Sequence, residues 1–286
     1  MEYLHKEKEN FIQAINLTVY KTGITADVVE KDYYVTMMLK ELAMRLPNIV
    51  FKGGTSLSKC FRVIRRFSED IDITLDSSLS QGQKKKLKYT LLEVTEKMGL
   101  KILNLDSTRS RRDYNCYEIG YDSVLHEDNL GISPMVLLET SFSIISFPTV
   151  IMDVHNFLGD MMKTEAPQAM QEYGLETFKM KVQGMDRTLI DKVFAITDYY
   201  LQGKMKKHSR HIYDIYKLLP LVDQTPEYKQ LIREVRIVRS ESSICPSAQD
   251  GIDIPGILKE IIDSNAYKED YERLTIRLLE ESVPYE

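Results

Sequence analysis

Two short stretches concentrate the residues able to do chemistry: Phe51-Lys-Gly-Gly-Thr-Ser-Leu-Ser-Lys59 and Arg66-Phe-Ser-Glu-Asp-Ile-Asp-Ile-Thr-Leu-Asp76. In the second, Asp70 and Asp72 alternate with apolar residues, and side chains at i and i+2 of a strand share a face. Two carboxylates so placed can hold one or two hard divalent cations, because Mg²⁺ takes oxygen ligands and keeps positions for water and phosphate. In the first stretch Gly53 and Gly54 carry no Cβ, which lets backbone N–H groups come close to phosphate oxygens. Thr55, Ser56 and Ser58 add hydroxyl donors. A third carboxylate, Glu139, interrupts the apolar run Met135-Val-Leu-Leu-Glu-Thr-Ser-Phe142. A carboxylate inside a core strand is costly unless it is paired or binds metal, so Glu139 is the candidate third ligand. Metal-dependent phosphoryl or nucleotidyl transfer is the chemistry this set serves.

A second constellation lies downstream, in Leu189-Ile-Asp-Lys192 and Arg210-His-Ile-Tyr-Asp214. On a helix, Arg210 and Asp214 face one another four residues apart and can form an ordinary ion pair. Lys192 stands among apolar neighbours, where a lysine either extends to solvent or points into a cleft and meets phosphate as a point charge.

The elements that must position these residues follow from periodicity. Helical spacing runs from about Lys6 to Leu46 and stops at Pro47-Asn48. Asn48–Lys52 reads as a strand into the Gly-Gly turn, with a helix starting near Ser56 and running to Arg65. Ile71–Leu75 reads as a strand with Asp72 and Thr74 on its polar face. Lys84–Met98 reads as a helix closed by Gly99, followed by strands at Leu100–Leu105, Asn115–Val124, Met135–Ile145 and Phe178–Gly184. From Arg187 onward the pattern is helical. The expectation is an α+β chain: an N-terminal helical segment over 1–46, a mixed-sheet core over 47–185, and a C-terminal helical domain over 186–286.

Composition narrows the class. With 286 residues and 43% hydrophobic content the chain can bury a sizeable core. Its three cysteines are far apart, without metal-site or disulfide spacing. The N-terminus lacks the pattern of a signal peptide and no apolar run approaches a membrane span, so a cytoplasmic protein with no membrane partner is expected. A net charge of −5 gives no global pull on nucleic acid, leaving any such binding to the basic runs at Lys84–Lys88, Arg109–Arg112 and Lys204–Arg210.

Taken together, Gly53-Gly-Thr-Ser-Leu-Ser-Lys59, Arg66–Asp72, Asp191-Lys192, Arg210-His-Ile-Tyr-Asp214 and the earlier Glu30-Lys-Asp-Tyr-Tyr34 resemble the AbiEii/AbiGii-type nucleotidyltransferase toxins, including their mycobacterial MenT relatives. The resemblance runs to about Leu219. It implies a DNA polymerase β-like nucleotidyltransferase core, Mg²⁺ (or Mn²⁺) dependence and a nucleoside triphosphate substrate. It also implies a role as the toxin of a toxin–antitoxin or phage-defence system with a cognate antitoxin, and RNA, the 3′ end of tRNA, as acceptor. Carried over by motif, Gly53, Gly54 and Thr55 form the phosphate-binding turn, with Ser56, Lys59 and Arg210 also assigned to the nucleotide. Asp70 and Asp72 hold the metals, with Glu139 as third carboxylate from its strand placement, and Lys192 and Asp214 serve nucleotide binding and catalysis. His211 stands where the family often has an aspartate, and Asp191 where a glutamate is common. Two other readings compete: phosphate transfer to a protein or small molecule, and a non-catalytic nucleotide-binding partner protein.

Overall fold

The chain alternates residues that prefer strands with amphipathic helical runs, and the computed structural model resolves this into one mixed sheet with helices packed on it. It describes residues 2–68, 70–76, 80–109, 112–125, 132–142 and 144–286. Glu69 of the second motif, and Ser110 and Arg111 of the middle basic run, lie outside the described residues.

Helices α1 (Lys8–Thr22) and α2 (Ala26–Arg45) come first, and α1 ends on Gly23, whose φ of 73° gives a left-handed C-cap. Strand β1 (Ile49–Lys52) runs straight into the short helix α3 (Gly53–Ser56), which continues as a wider turn to Phe61. Strand β2 (Ile71–Leu75) follows. Helix α4 (Gln81–Met98) starts from a reciprocal capping box between Ser80 and Gln83. Strands β3 (Lys101–Ile102), β4 (Tyr114–Gly120), β5 (Met135–Ser141) and β6 (Thr149–Val154) lead to helices α5 (Phe157–Glu165) and α6 (Pro167–Glu172) and then to β7 (Phe178–Gln183). The remainder is helical: α7 (Met185–Leu201), α8 (Arg210–Leu218), α9 (Pro226–Ser240) and α10 (Ile254–Asp263).

Among the described residues the sheet has seven strands in the order β3-β4-β5-β2-β1-β7-β6. The β2–β5 and β1–β7 pairs are parallel and the others antiparallel. The expected α+β class, a mixed sheet flanked by helices and followed by a helical C-terminal part, is what forms. Helices α1, α2, α4 and α5 share one core with the sheet, through residues such as Phe11, Met38 and Val94 against Ile71, Ile73 and Leu138. A second core joins Leu57 and Ile64 to Leu189, Phe194, Tyr213 and Val235, so the segment after the Gly-Gly turn is the seam between sheet and C-terminal helices.

The Glu30–Tyr34 motif serves this framework. Buried Glu30 accepts from Ser123 Oγ (2.7 Å) and Val124 N (2.8 Å), and Asp32 pairs with Lys59 while accepting from Phe157 N (3.0 Å). The strands expected over 115–124 and 135–145 end at Gly120 and Ser141, the helix expected to Arg65 ends at Phe61, and two further stretches differ from expectation. The strand expected over Leu100–Leu105 closes after Ile102, because the Asn104 side chain accepts from Glu118 N (3.0 Å) and donates to Cys116 O (3.0 Å), substituting for ladder bonds. Strand β6 has no legible alternation: it is an edge strand on which the successive residues Val150 and Ile151 are both exposed.

At the far end of the chain, residues 278–280 pair with the linker between the two motifs. Phe67 N donates to Leu278 O (2.9 Å), Glu280 N donates to Arg65 O (3.0 Å), and Arg66 and Leu279 form a bridge. Among the described residues, no helix is long and apolar enough to cross a membrane.

Candidate active site

The sheet register assembles the carboxylates. Lys52 of β1 stands opposite Asp72 of β2, Asp72 stands beside Glu139 of β5, and Cys116 of β4 stands opposite Glu139. Asp70 lies one residue ahead of β2, so it enters from the linker and not from the ladder. Arg210 Nη1 approaches Asp70 Oδ2 at 3.8 Å. Burial, then Asp72 and Asp70, pushes the Glu139 carboxyl up to about 7, partly offset by a hydrogen bond from the Tyr114 hydroxyl. Burial also raises Asp72, with Asp70 adding to it and Lys52 opposing. Burial and then Glu139 push the Cys116 thiol up to about 11. All three shifts run the same way, burial leading each and neighbouring carboxylates adding to it. Among the described residues no three His, Cys, Asp or Glu side chains converge tightly enough to enclose a metal ion unaided. The donors are nonetheless all oxygen and mutually repelling, which fits a hard divalent cation that shares its shell with water or phosphate.

The Gly-Gly turn is shaped by what it must pass. Gly53 has φ 78°, and a Cβ there would overlap the Asp72 carboxylate; a Cβ on Gly54 would sit 2.8 Å from Ser68 Oγ and crowd the Arg66 guanidinium. Thr55 Oγ1 and Ser68 Oγ are 2.9 Å apart, tying the turn to the linker. The Ser56 hydroxyl donates back to Gly53 O (2.8 Å) and that of Ser58 to Thr55 O (3.0 Å). Lys59 is not brought to the carboxylates: its ammonium is buried against Asp32, Thr36 Oγ1 (2.6 Å) and His155 O (3.2 Å).

Asp214 has the opposite environment. Its fully buried carboxylate accepts two bonds from Arg66, from Nε at 2.7 Å and Nη2 at 2.8 Å, and pairs with Lys192 Nζ at 2.5 Å. Burial opposes its ionisation, but Arg66 and then Lys192 overcome that and hold the carboxyl well below the usual carboxylate range. The simple Arg210–Asp214 pair open to the sequence does not form: Asp214 turns inward to Arg66, and Arg210 turns to Asp70. Burial lowers Lys192 despite Asp214, and burial with Lys192 nearby holds His211 well below the usual histidine range.

A cleft of about 180 Å³ has Lys52, Gly53, Asp72, Lys192 and His211 on its wall. Deeper in, Asp191 lies between Arg187 Nε (3.2 Å) and Arg239 Nη1 (3.3 Å). The structure thus gathers Gly53, Asp72 and Lys192 directly, with Glu139, Asp70, Asp214 and Arg210 one contact away. Sequence reasoning passed over Arg66, Lys52, Tyr114, Arg187 and Arg239. Arg66 was within reach, four residues before Asp70 in the same motif, whereas nothing local marks Arg239. Of the basic runs, Lys84 pairs with Asp113 and Lys88 donates to Thr108 O (3.0 Å), while Lys204–Arg210 forms the α7–α8 connection.

Residues 42–284 match the model of the family described as "Nucleotidyl transferase AbiEii toxin, Type IV TA system". No curated protein matches the chain. Among solved structures, the MenT4 nucleotidyltransferase toxin of Mycobacterium tuberculosis H37Rv is similar at 14% identity and a TM-score of 0.48, over 91% of this chain and 88% of that one. The chain belongs to the AbiEii nucleotidyltransferase toxin family.

Proposed function

We propose that this AbiEii-family chain moves a nucleoside monophosphate from a nucleoside triphosphate to an RNA acceptor, the 3′ end of a tRNA, in the cytoplasm. It does so as the toxin of a type IV toxin–antitoxin or phage-defence pair. Family membership supports nucleotidyl transfer and an antitoxin partner. The observation that carries the site assignment is the register that lays Asp72 beside Glu139 and against the Cβ-free face of Gly53.

In this reading Asp70 and Asp72, with Glu139, would hold Mg²⁺ or Mn²⁺. The chemistry such a cation would supply there is activation of the acceptor hydroxyl and neutralisation of charge on the leaving pyrophosphate. Gly53 and Gly54 present backbone N–H groups, and Thr55 its hydroxyl, to the phosphates. Lys192 meets phosphate from the cleft wall, held in place by Asp214, which Arg66 fixes in turn. Arg210, partly exposed beside Asp70, meets the nucleotide. Ser56 and Lys59 support the turn from behind through the bonds described above. Residues 47–185 are the catalytic core, 1–46 its helical support, and 186–286 the helical domain that closes the cleft. Such transfers ask for positioning and charge stabilisation more than covalent chemistry.

The test incubates purified protein with Mg²⁺, each α-³²P nucleoside triphosphate and total bacterial RNA. Label should pass to RNA with the wild type and not with Asp70→Ala or Asp72→Ala, both folded by circular dichroism. Undiminished transfer by both variants sinks the assignment; product labelled only from γ-³²P substrate favours phosphate transfer instead.

A further inference from the structure

The cleft at Asp72 has a neighbour. A second cavity, of about 740 Å³, shares Ile144, Ala195 and Arg239 with it, so these three residues form a neck between the two. The halves differ in kind. The near half sets Lys52 and Lys192 around Gly53 on the same wall as Asp72 and Asp191, a charged lining suited to phosphates that arrive with a cation. The far half is walled by Tyr199, Ile244, Cys245 and Pro246, with Asp198, Gln202, Lys204, Arg239 and Ser243 as its polar members. An aromatic ring, aliphatic walls and a few polar groups are what a planar heterocycle needs.

Two further observations place a ligand there. Arg239, buried at the neck, spends Nη1 on Asp191 (3.3 Å) and Nη2 on Asp198 (2.8 Å), but its Nε–H is buried without a hydrogen-bond partner among the described residues. Buried donors are rarely left so. The Tyr199 ring is fixed before any ligand arrives, stacked on His208 with centroids 3.5 Å apart and an interplanar angle of 10°. Among the described residues Gln202 holds surface contacts, Nε2 to Ile244 O at 3.4 Å and Oε1 from Lys204 Nζ at 3.0 Å, which it can exchange for the edge of a base.

The geometry points to the second cavity as the base pocket of the donor nucleotide. Its phosphates lie at Gly53 and Lys192, its sugar at the Arg239 neck, and its base against Tyr199 between Ile144 and Ile244, with Gln202 reading the base edge. This rests on the reading of a nucleoside triphosphate as donor. The segment after α9 then acquires a purpose, with residues 243–246 forming a specificity wall.

The experiment measures equilibrium binding of the four α,β-methylene nucleoside triphosphates, and of inorganic tripolyphosphate, to the full chain with Mg²⁺. Tyr199→Ala and Ile244→Glu should each weaken the preferred nucleotide about ten-fold, the worth of one base-stacking interaction. Tripolyphosphate binding should stay unchanged, and Tyr199→Phe should bind as the wild type. Gln202→Leu should flatten the order of base preference. Ile244 is exposed, so its substitution tests the pocket even if Tyr199→Ala fails to fold. Nucleotide affinity and base order unchanged in all variants overturn the proposal while leaving the donor reading intact. Loss of RNA binding with nucleotide binding preserved overturns it too, by assigning the cavity to the acceptor. A wild type that binds tripolyphosphate but gains nothing from any nucleoside overturns both.

Discussion

Glu139 and Asp214 are two carboxylates that touch the same cleft through a neighbour, Glu139 through Asp72 and Asp214 through Lys192. Their surroundings push them apart. Glu139 is buried among two more carboxylates and rises to about 7. Asp214 is buried more completely, yet Arg66 and Lys192 hold it ionised. The Asp214 cluster is balanced by the chain itself and therefore reads as a brace joining the linker, α7 and α8. The Glu139 cluster has looser compensation, with Lys52 opposite Asp72 and Arg210 3.8 Å from Asp70, and under the function proposed above it is the one that receives a cation.

Several measurements can break or sharpen that contrast. The largest effect should come from Asp72→Asn, which abolishes nucleotidyl transfer while leaving the metal-free melting temperature unchanged or higher, because one repelling charge is gone; a clear drop in melting temperature would make Asp72 part of the brace. Asp214→Ala should show its main effect in stability and cost about 3–5 kcal/mol in urea unfolding, since it leaves Arg66 and Lys192 buried without their counter-charge. Stability equal to wild type would show that the cluster is not a brace.

A smaller, pH-dependent effect belongs to Glu139. Its folded value of about 7 exceeds the ordinary 4.5, so between these the folded state binds more proton than the unfolded chain. Metal-free stability should therefore fall as pH rises through that window. Glu139→Gln should remove this part of the slope, and Mg²⁺ should diminish it in the wild type; a slope indifferent to both would place the titrating group elsewhere. The smallest effect is expected from Lys206→Glu with Lys207→Glu in the α7–α8 connection, which should weaken RNA transfer and lower its salt dependence by about one unit of slope for each phosphate no longer neutralised. Identical transfer across a salt series would move the acceptor to another face.

Much of this was legible in order along the chain. The alternation of Ile71, Ile73 and Leu75 with Asp72 marks β2, and the Gly-Gly turn after an apolar run marks the exit of β1, because both signals are local. Glu139 could be found because a charge inside an apolar run has to be explained. What stayed hidden depends on contacts far apart in sequence. Arg66 reaches Asp214 across 148 residues and Arg239 reaches Asp191 across 48. No periodicity announces such partners. The helical pair Arg210 and Asp214 shows the reverse problem: a valid local rule gave one possible pairing, and each residue found a better partner in the tertiary structure.

The pairing of residues 278–280 with residues 65–67 has a consequence for the timing of synthesis. The linker that holds Arg66 emerges early from the ribosome, but residues 278–280, which pin it, follow only after most of the chain. Tyr213, which accepts from Arg65 N at 2.9 Å and donates to Glu281 at 2.5 Å, likewise waits for that last stretch. A nascent chain can therefore build its sheet and its carboxylate trio well before Arg66 is locked onto Asp214. This order keeps the Arg66 linker unpinned at the edge of the cleft until residues 278–280 have been made.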